Sequence, residues 1–133
     1  MQTHFSDVDI LPTAIFDPDL ERGEWLATQL EEEGFAVEMA NSADDLLASV
    51  RKTYFRTLVV VADLSDSSCL RFLDDLRRVS PRSWLIVANT IVSEPKLELV
   101  HRHGIDALLA APIYPEELAR RIAAFRLHSR PSF

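Results

Sequence analysis

The sequence predicts one α/β domain, in which a five-stranded parallel sheet carries helices on both faces. Along the 133 residues, short apolar segments alternate with longer segments of helical periodicity. Such alternation is typical of a parallel sheet, because the crossovers between its strands are short and right-handed. With five strands, the common solution is the flavodoxin-like order 2-1-3-4-5. The first and third strands are then neighbours at the switch point of the sheet, where ligands of such folds bind.

Residues 58–63, Leu-Val-Val-Val-Ala-Asp, form the central strand of this prediction. A continuous apolar run that is rich in β-branched residues is typical of a strand buried on both faces. Asp63 stands where this strand ends, and the carboxyl ends of parallel strands are where chemistry gathers. Asp63 is therefore the first candidate functional residue.

Turn residues, caps and periodicity predict the other elements. Proline cannot join a central ladder, glycine ends helices in the left-handed conformation, and small polar residues cap helix N-termini. On these grounds we predict a strand at 13–16 before the Asp17-Pro18-Asp19 turn, a helix at 20–33 ended by Gly34, and a strand at 35–39. A helix capped by Asn41 or Ser42, a helix at 68–79, a strand at 84–88, a helix from Ser93 to Gly104, a strand at 107–110 and a helix from Pro115 follow.

Composition and charge restrict the function. The domain is predicted at 13–127, with an N-terminal extension at 1–12 and a tail at 128–133. A net charge of −7 argues against direct nucleic-acid binding by this domain. The single cysteine, Cys69, excludes an internal disulfide and fits a reducing compartment. Without a signal peptide or a long apolar run, we expect a cytoplasmic protein with no membrane partner.

The predicted strand order brings two carboxylates, Asp17 and Asp63, to one edge of the sheet. Two neighbouring carboxylates repel each other unless a positive charge lies between them. Mg²⁺ is the usual solution, and it needs only one or two carboxylates besides waters and a phosphate. A carboxylate in such a site can attack phosphorus and form an acyl phosphate.

Several motifs occur in the order and near the spacing of one family. They are Asp17 after the first strand, Glu-Glu-Glu-Gly-Phe at 31–35, Asp63 after its apolar run, Pro112 after the fifth strand and Pro-Glu-Glu-Leu at 115–118. With these motifs the chain resembles the receiver (CheY-like) domain of two-component response regulators. The resemblance implies that Asp63 is the phosphoacceptor and that the family's hydroxyl position falls on Asn89, with Thr90 next to it. It also implies that the partners are a histidine kinase or an output domain.

The chain departs from the family at positions that serve phosphorylation. The second acidic position falls on Pro18, so that Asp17, Asp19 and Asp63 remain as ligands for a weak Mg²⁺ site. The family's lysine after the fifth strand is Ala111 here. Phosphoryl transfer depends mostly on electrostatic positioning, and losing these groups should cost orders of magnitude in rate. We therefore expect a pseudo-receiver that is not an enzyme and whose phosphorylation is weak or lost.

Three functional hypotheses follow. The first is a signalling domain that acts by protein–protein interaction or as a homodimer. It would use the face of helix four, strand five and helix five, where Arg120 and Arg121 could pair with acids such as Asp106. The second is a working Mg²⁺-dependent phosphoacceptor at Asp63 that controls an output such as transcription. The third is a small-ligand-binding domain of flavodoxin-like shape.

Each candidate residue also has a purely structural alternative. Asp63 could bond local amides, while Asp17 and Asp19 could serve the turn and the N-cap ahead of the first helix. His101 and His103 are predicted to cap a helix C-terminus rather than to bind a metal. The chain has only three glycines and no glycine-rich phosphate loop, which argues against a nucleotide enzyme.

Overall fold

The chain forms a single parallel sheet flanked by helices. The computed structural model describes residues 12–89 and 97–125. Within them the strands are β1 (Thr13–Phe16), β2 (Val37–Ala40), β3 (Thr57–Val61), β4 (Trp84–Asn89) and β5 (Ala107–Ala110), and the helices are α1 (Leu20–Glu32), α2 (Ala43–Lys52), α3 (Ser67–Val79), α4 (Leu97–Arg102) and α5 (Pro115–Phe125). The sheet order is β2-β1-β3-β4-β5, with every pair parallel. The predicted fold class and strand order are confirmed.

The apolar core lies in two layers, one on each face of the sheet. All five residues of β3 are buried. Leu58 and Val60 pack toward α2 and α3, whereas Val59 and Val61 pack toward α1 and α5. Because successive side chains of a strand point to opposite faces, a strand covered on both sides must be apolar throughout. This explains why the central strand is a continuous apolar run.

The N-terminal caps of three helices are side chains of turn residues. Asp19 caps α1 and accepts from the Arg22 amide at 3.2 Å, and Ser42 caps α2. Asp66 caps α3 and accepts from the Ser68 amide at 2.9 Å. The N-cap role considered for Asp19 is confirmed, and of the two predicted caps for α2 the structure selects Ser42.

The second strand begins two residues later than predicted. The Phe35 amide donates to the Leu30 carbonyl at 3.1 Å, and the Gly34 amide donates to the Glu31 carbonyl at 3.0 Å. Gly34 has φ +97°, so this is the left-handed helix ending that glycine favours. Phe35 is therefore part of the end of α1, and β2 starts at Val37. The predicted cap Ser93 and both predicted tails, except for Pro12, lie outside the described residues.

At the amino-terminal edge of the sheet, two polar side chains that follow α4 turn inward. Asp106 accepts from Arg77 of α3 at 3.2 Å and from the Leu85 amide at 2.8 Å. Its pairing with arginines of α5 across an interface stays a prediction. His103 is buried, and its Nδ1 lies 2.5 Å from Oδ1 of Asp74, so its predicted role as a helix cap is wrong. Both side chains belong to the segment after α4, and both contact α3.

None of the helices in the described part of the chain is long and apolar enough to cross a membrane.

Candidate functional site

The carboxyl ends of the four strands β1, β3, β4 and β5 meet at one edge of the sheet. Phe16 pairs with Val60, Val61 with Ala88, and Asn89 with Ala110. The Ala62 amide extends this pairing by donating to the Ala88 carbonyl at 2.8 Å. The residues that follow these strands therefore emerge along a single edge, as the sequence predicts. This edge is the candidate site.

Asp17 follows β1 and is completely buried. Its Oδ2 accepts from Nε of Arg22 at 2.5 Å, and its Oδ1 accepts from Nη2 of the same side chain at 2.8 Å. The Asp19 amide donates to Oδ1 as well, at 2.9 Å. This is a bidentate arginine–carboxylate pair, which is stronger and more directional than a single ionic contact. The hydrogen bond to Asp17 raises the pKa of Arg22, against the opposing effect of its partial burial.

The first turn of α1 approaches the end of β1 closely because residue 23 is glycine. A Cβ atom placed on Gly23 would lie 3.1 Å from the Cβ of Asp17, a distance at which one neighbour would have to move. Arg22, one residue earlier, is thereby held over the Asp17 carboxylate. Arg22 belongs to none of the motifs recognised in the sequence. The available signal was an arginine three residues after the Asp19 N-cap.

Asp63 lies at the surface, two residues beyond β3. Its Oδ1 accepts from the amide of Ser65 at 2.9 Å and from the hydroxyl of Ser65 at 2.6 Å. The Asp66 amide donates to the Asp63 carbonyl at 3.1 Å, which closes a turn ahead of α3. These contacts match the structural alternative for this carboxylate, which was the bonding of local amides. Its role as phosphoacceptor stays a prediction.

Asp66, the cap of α3, keeps its own hydrogen bonds to Ser68. The Ser68 hydroxyl donates to Oδ1 at 2.7 Å in addition to the amide. These two bonds lower the pKa of Asp66 below its ordinary value. The Asp66 carboxylate is therefore engaged with α3.

The predicted Mg²⁺ ligands do not form a metal site in this arrangement. Across the described ranges, no group of three or more His, Cys, Asp or Glu side chains is placed to hold a metal ion. Both oxygens of Asp17 accept from Arg22, and Asp19 caps α1. Pro18, at the family's second acidic position, has no ligand atom in its side chain. The residues present therefore do not fit the ion that receiver domains typically bind at the phosphorylation site.

The other two strand ends carry little charge. Asn89 ends β4 opposite Ala110, and Thr90 lies outside the described residues. Ala111 follows β5 directly and is joined to Pro112 by a cis peptide bond. The methyl side chain of Ala111 supplies no positive charge beside the edge where Asp63 emerges.

A small apolar pocket, not predicted from the sequence, lies beside Asp63. Its volume is about 260 Å³, and its apolar lining includes Phe16, Val60, Cys69 and Phe72. The rings of Phe16 and Phe72 meet edge to face with centroids 6.1 Å apart. Burial raises the pKa of the Cys69 thiol. Cys69 lies in the first turn of α3.

The sheet thus carries one acidic residue after β1 and another after β3, at the edge where ligands of flavodoxin-like folds bind. No family model matches the chain. A response regulator receiver protein of Anaeromyxobacter sp. (strain Fw109-5) is 29% identical over 99 residues, which are 74% of this chain and 42% of that protein. The chain therefore has the receiver (CheY-like) fold and is similar in sequence to this response regulator receiver protein. It spans less than half the length of that relative.

Solved structures share the same fold. A CheY-like receiver domain protein from Methanospirillum hungatei JF-1 superposes with a TM-score of 0.78 at 23% identity, covering 88% of this chain and 94% of that chain. A putative pilus assembly-related protein from Burkholderia pseudomallei K96243 superposes with a TM-score of 0.77 at 18% identity, covering 99% and 100%. At these identities the similarity concerns the fold.

Proposed function

We propose that this domain is a signalling module of a two-component regulatory protein in which phosphorylation of Asp63 is weak or lost. It acts by contact with other proteins, such as a histidine kinase, an output domain or a second copy of the chain, and it is not an enzyme. Mg²⁺ binding is at most weak. The cytoplasmic location and the lack of direct nucleic-acid contact are parts of the same proposal.

The observation that carries this proposal is alanine at position 111. Ala111 directly follows β5 at the sheet edge where Asp63 emerges. A phosphoryl group on Asp63 would bring about two negative charges there. In enzymatic acyl transfer, removing one preorganised donor to the developing charge lowers the rate by about 10²- to 10³-fold. Without a cation at this position, acyl phosphate formation loses a main source of stabilisation.

The proposed contact surface is the α4–β5–α5 face. Tyr114 is 57% exposed there, and Arg120 and Arg121 are exposed on α5. A shallow cleft of about 380 Å³ runs between Tyr114, Glu117 and Arg120. Tyrosine and arginine are the residue types that contribute most often to binding energy at protein interfaces. This exposed tyrosine beside arginine supports an interaction role.

Phosphorylation is tested with a small-molecule phosphodonor. The protein is incubated with acetyl phosphate and Mg²⁺, and intact mass spectrometry measures the fraction that gains one phosphoryl group. We expect only a trace for the natural sequence and none for Asp63→Asn. Ala111→Lys should increase the phosphorylation rate by about 10²-fold if the missing cation limits the reaction. Ala110→Lys, at the exposed preceding position, is the matched control and should not.

Two outcomes would contradict the proposal. Rapid and complete phosphorylation of Asp63 in the natural sequence would instead support the hypothesis of a working phosphoacceptor that controls an output. An Ala111→Lys variant no faster than Ala110→Lys would show that the alanine does not limit the reaction.

The contact surface is tested separately. Sedimentation velocity measures self-association, and capture of a cognate kinase or output domain measures hetero-association. We expect Tyr114→Ser or Arg120→Glu to weaken whichever association is found. Tyr54→Ser is the matched control, because Tyr54 is 48% exposed at the opposite edge of the sheet. Equal effects of the variants at Tyr114 and Tyr54 would refute the α4–β5–α5 face.

The apolar pocket beside Asp63 supports a second candidate function, the binding of a small ligand. Phe16 and Phe72 line a volume that suits a small apolar group. Native mass spectrometry of the purified protein decides this point. A bound molecule that is lost in Phe72→Ala would favour the second candidate, and a protein mass without an adduct would count against it.

A further inference from the structure

We infer that Arg22 is the built-in cation of the acidic corner, holding Asp17 in the position where a receiver would use a divalent metal ion. This inference deepens the proposed function and rests on it. The corner consists of Asp17, Asp19 and Arg22. Its charge is balanced by a side chain of the protein itself, so its structure does not depend on metal.

The hydrogen bonds of the Asp17 carboxylate support this role. Both oxygens of Asp17 accept from the same guanidinium, at 2.5 and 2.8 Å, and Oδ1 also accepts from the Asp19 amide at 2.9 Å. The Asp17 side chain is 0% exposed, so no part of the carboxylate faces solvent. A metal ion could reach these oxygens only after the guanidinium had left.

The charge of Arg22 also supports this role. A fully buried carboxylate is strongly unfavourable unless a positive partner offsets the loss of hydration. Mg²⁺ can supply that charge, but only at concentrations that keep its site filled. Arginine stays protonated at every physiological pH and matches a carboxylate with two parallel donors. Arg22 therefore neutralises Asp17 permanently.

Arg22 is held in place both by its backbone and by its side chain. Its amide donates to Oδ1 of Asp19 at 3.2 Å as part of the N-cap of α1. Gly23 lets this turn lie against Asp17, since a Cβ there would come within 3.1 Å of the Asp17 Cβ. The N-cap bond holds the Arg22 backbone, and the ion pair with Asp17 holds its side chain. Displacing the arginine would therefore disturb the first turn of α1.

The experiment compares divalent-cation binding in the natural protein, Arg22→Gln and Arg78→Gln. Arg78 is the matched control, because its bond to Asp75 is equally short but its side chain is 74% exposed. Mn²⁺ binding is measured by electron paramagnetic resonance. Thermal unfolding is measured in MgCl₂ and in NaCl of equal ionic strength. Amide NMR shifts locate any bound ion.

We expect no specific Mn²⁺ binding and no Mg²⁺-dependent stability for the natural protein and for Arg78→Gln. Arg22→Gln should unfold at a lower temperature and regain stability with Mg²⁺. Its affinity for Mn²⁺ should be higher by about tenfold or more, because one unit charge no longer competes for the carboxylate. The double variant Asp17→Asn, Arg22→Gln should lose this response to metal.

The natural protein alone can overturn the inference, even if Arg22→Gln does not fold. Saturable Mn²⁺ binding with amide shifts centred on Asp17 would show that Arg22 does not exclude the metal. An Arg22→Gln variant that is as stable as Arg78→Gln and insensitive to Mg²⁺ would overturn it too.

The two proposals fail in different ways. Metal binding at Asp17 without phosphorylation of Asp63 would overturn the role of Arg22 and leave the proposed function standing. Phosphorylation of Asp63 to completion, with no metal bound at Asp17, would overturn the proposed function and leave the role of Arg22 standing.

Discussion

Replacing Arg77 by alanine should destabilise the domain more than any other single arginine substitution tested alongside it. The Arg77 guanidinium lies at the amino-terminal edge of the sheet, opposite Asp63. Its Nη1 donates to the carbonyls of Ser80 and Ser83 at 3.1 and 2.8 Å. Its Nη2 donates to the Gly104 carbonyl at 2.8 Å and to Asp106 at 3.2 Å. One side chain therefore joins the end of α3 to the loops before β4 and β5.

The size of the effect follows from burial. The side chains of Arg77 and Asp106 are 17% and 14% exposed. Removing one partner of a buried ion pair costs about 3–5 kcal/mol, whereas breaking an exposed pair costs about 0–1 kcal/mol. Because both groups keep some contact with water, we take the lower end, about 3 kcal/mol. Asp106 keeps its bond from the Leu85 amide, which also favours the lower value.

Urea unfolding measured by circular dichroism gives the free energy of unfolding for Arg77→Ala, Arg77→Lys and Arg78→Ala. Arg77→Lys keeps the charge but loses the planar guanidinium with its several donors. Its loss in free energy of unfolding should therefore lie between those of the two alanine variants. Arg78→Ala removes an exposed pair and should change stability by less than about 1 kcal/mol. If Arg77→Ala and Arg78→Ala lost equal amounts, the argument from burial and multiple acceptors would be refuted.

Two further predictions use the same structure. Iodoacetamide should alkylate Cys69 several-fold more slowly in the folded protein than in urea at the same pH. The reason is that burial raises the thiol pKa, and the thiolate is the reactive form. Equal alkylation rates, measured by mass spectrometry, would contradict this prediction. Gly104→Ala should cost more stability than Gly34→Ala. Both positions have positive φ, which costs about 1–2 kcal/mol for alanine, but only at Gly104 would the new Cβ meet a side chain, Arg77 at 3.0 Å. The excess should vanish in the Arg77→Ala background if that contact causes it.

The sequence was sufficient for the fold because its signals are local. The apolar run before Asp63 and the cap at Asp19 each act within a few residues, and the alternation of elements restricts the strand order. Phe35 shows the limit of such signals. It is apolar and precedes a strand pattern, yet its amide completes the end of α1, and a helix ending of this kind competes with strand pairing for the same backbone group.

The inward turn of His103 and Asp106 depends on how the segment after α4 contacts α3, and no spacing along the chain contains that information. Their partners, Asp74 and Arg77, are each 29 residues away in sequence. Polar residues near a helix end or in a loop lie at the surface more often than not, so the sequence favoured exposure. Tertiary packing overrode that preference because each buried group gained an ionic or hydrogen-bonded partner.

The candidate site shows the opposite case. The positions of its carboxylates could be predicted from the sequence, but their hydrogen-bond partners could not. Strand order alone placed Asp17 and Asp63 after neighbouring strands, since parallel strands end at one edge. Which partner each carboxylate takes depends on the donors that the next turn supplies. For Asp63 that donor is Ser65, two residues later, and for Asp17 it is Arg22, five residues later. Acidic residues are the expected ligands of Mg²⁺, so a pattern of acids along the sequence gives no sign of Arg22. The residue that decides whether this corner needs a metal is thus a basic one, in the first turn of the helix that follows.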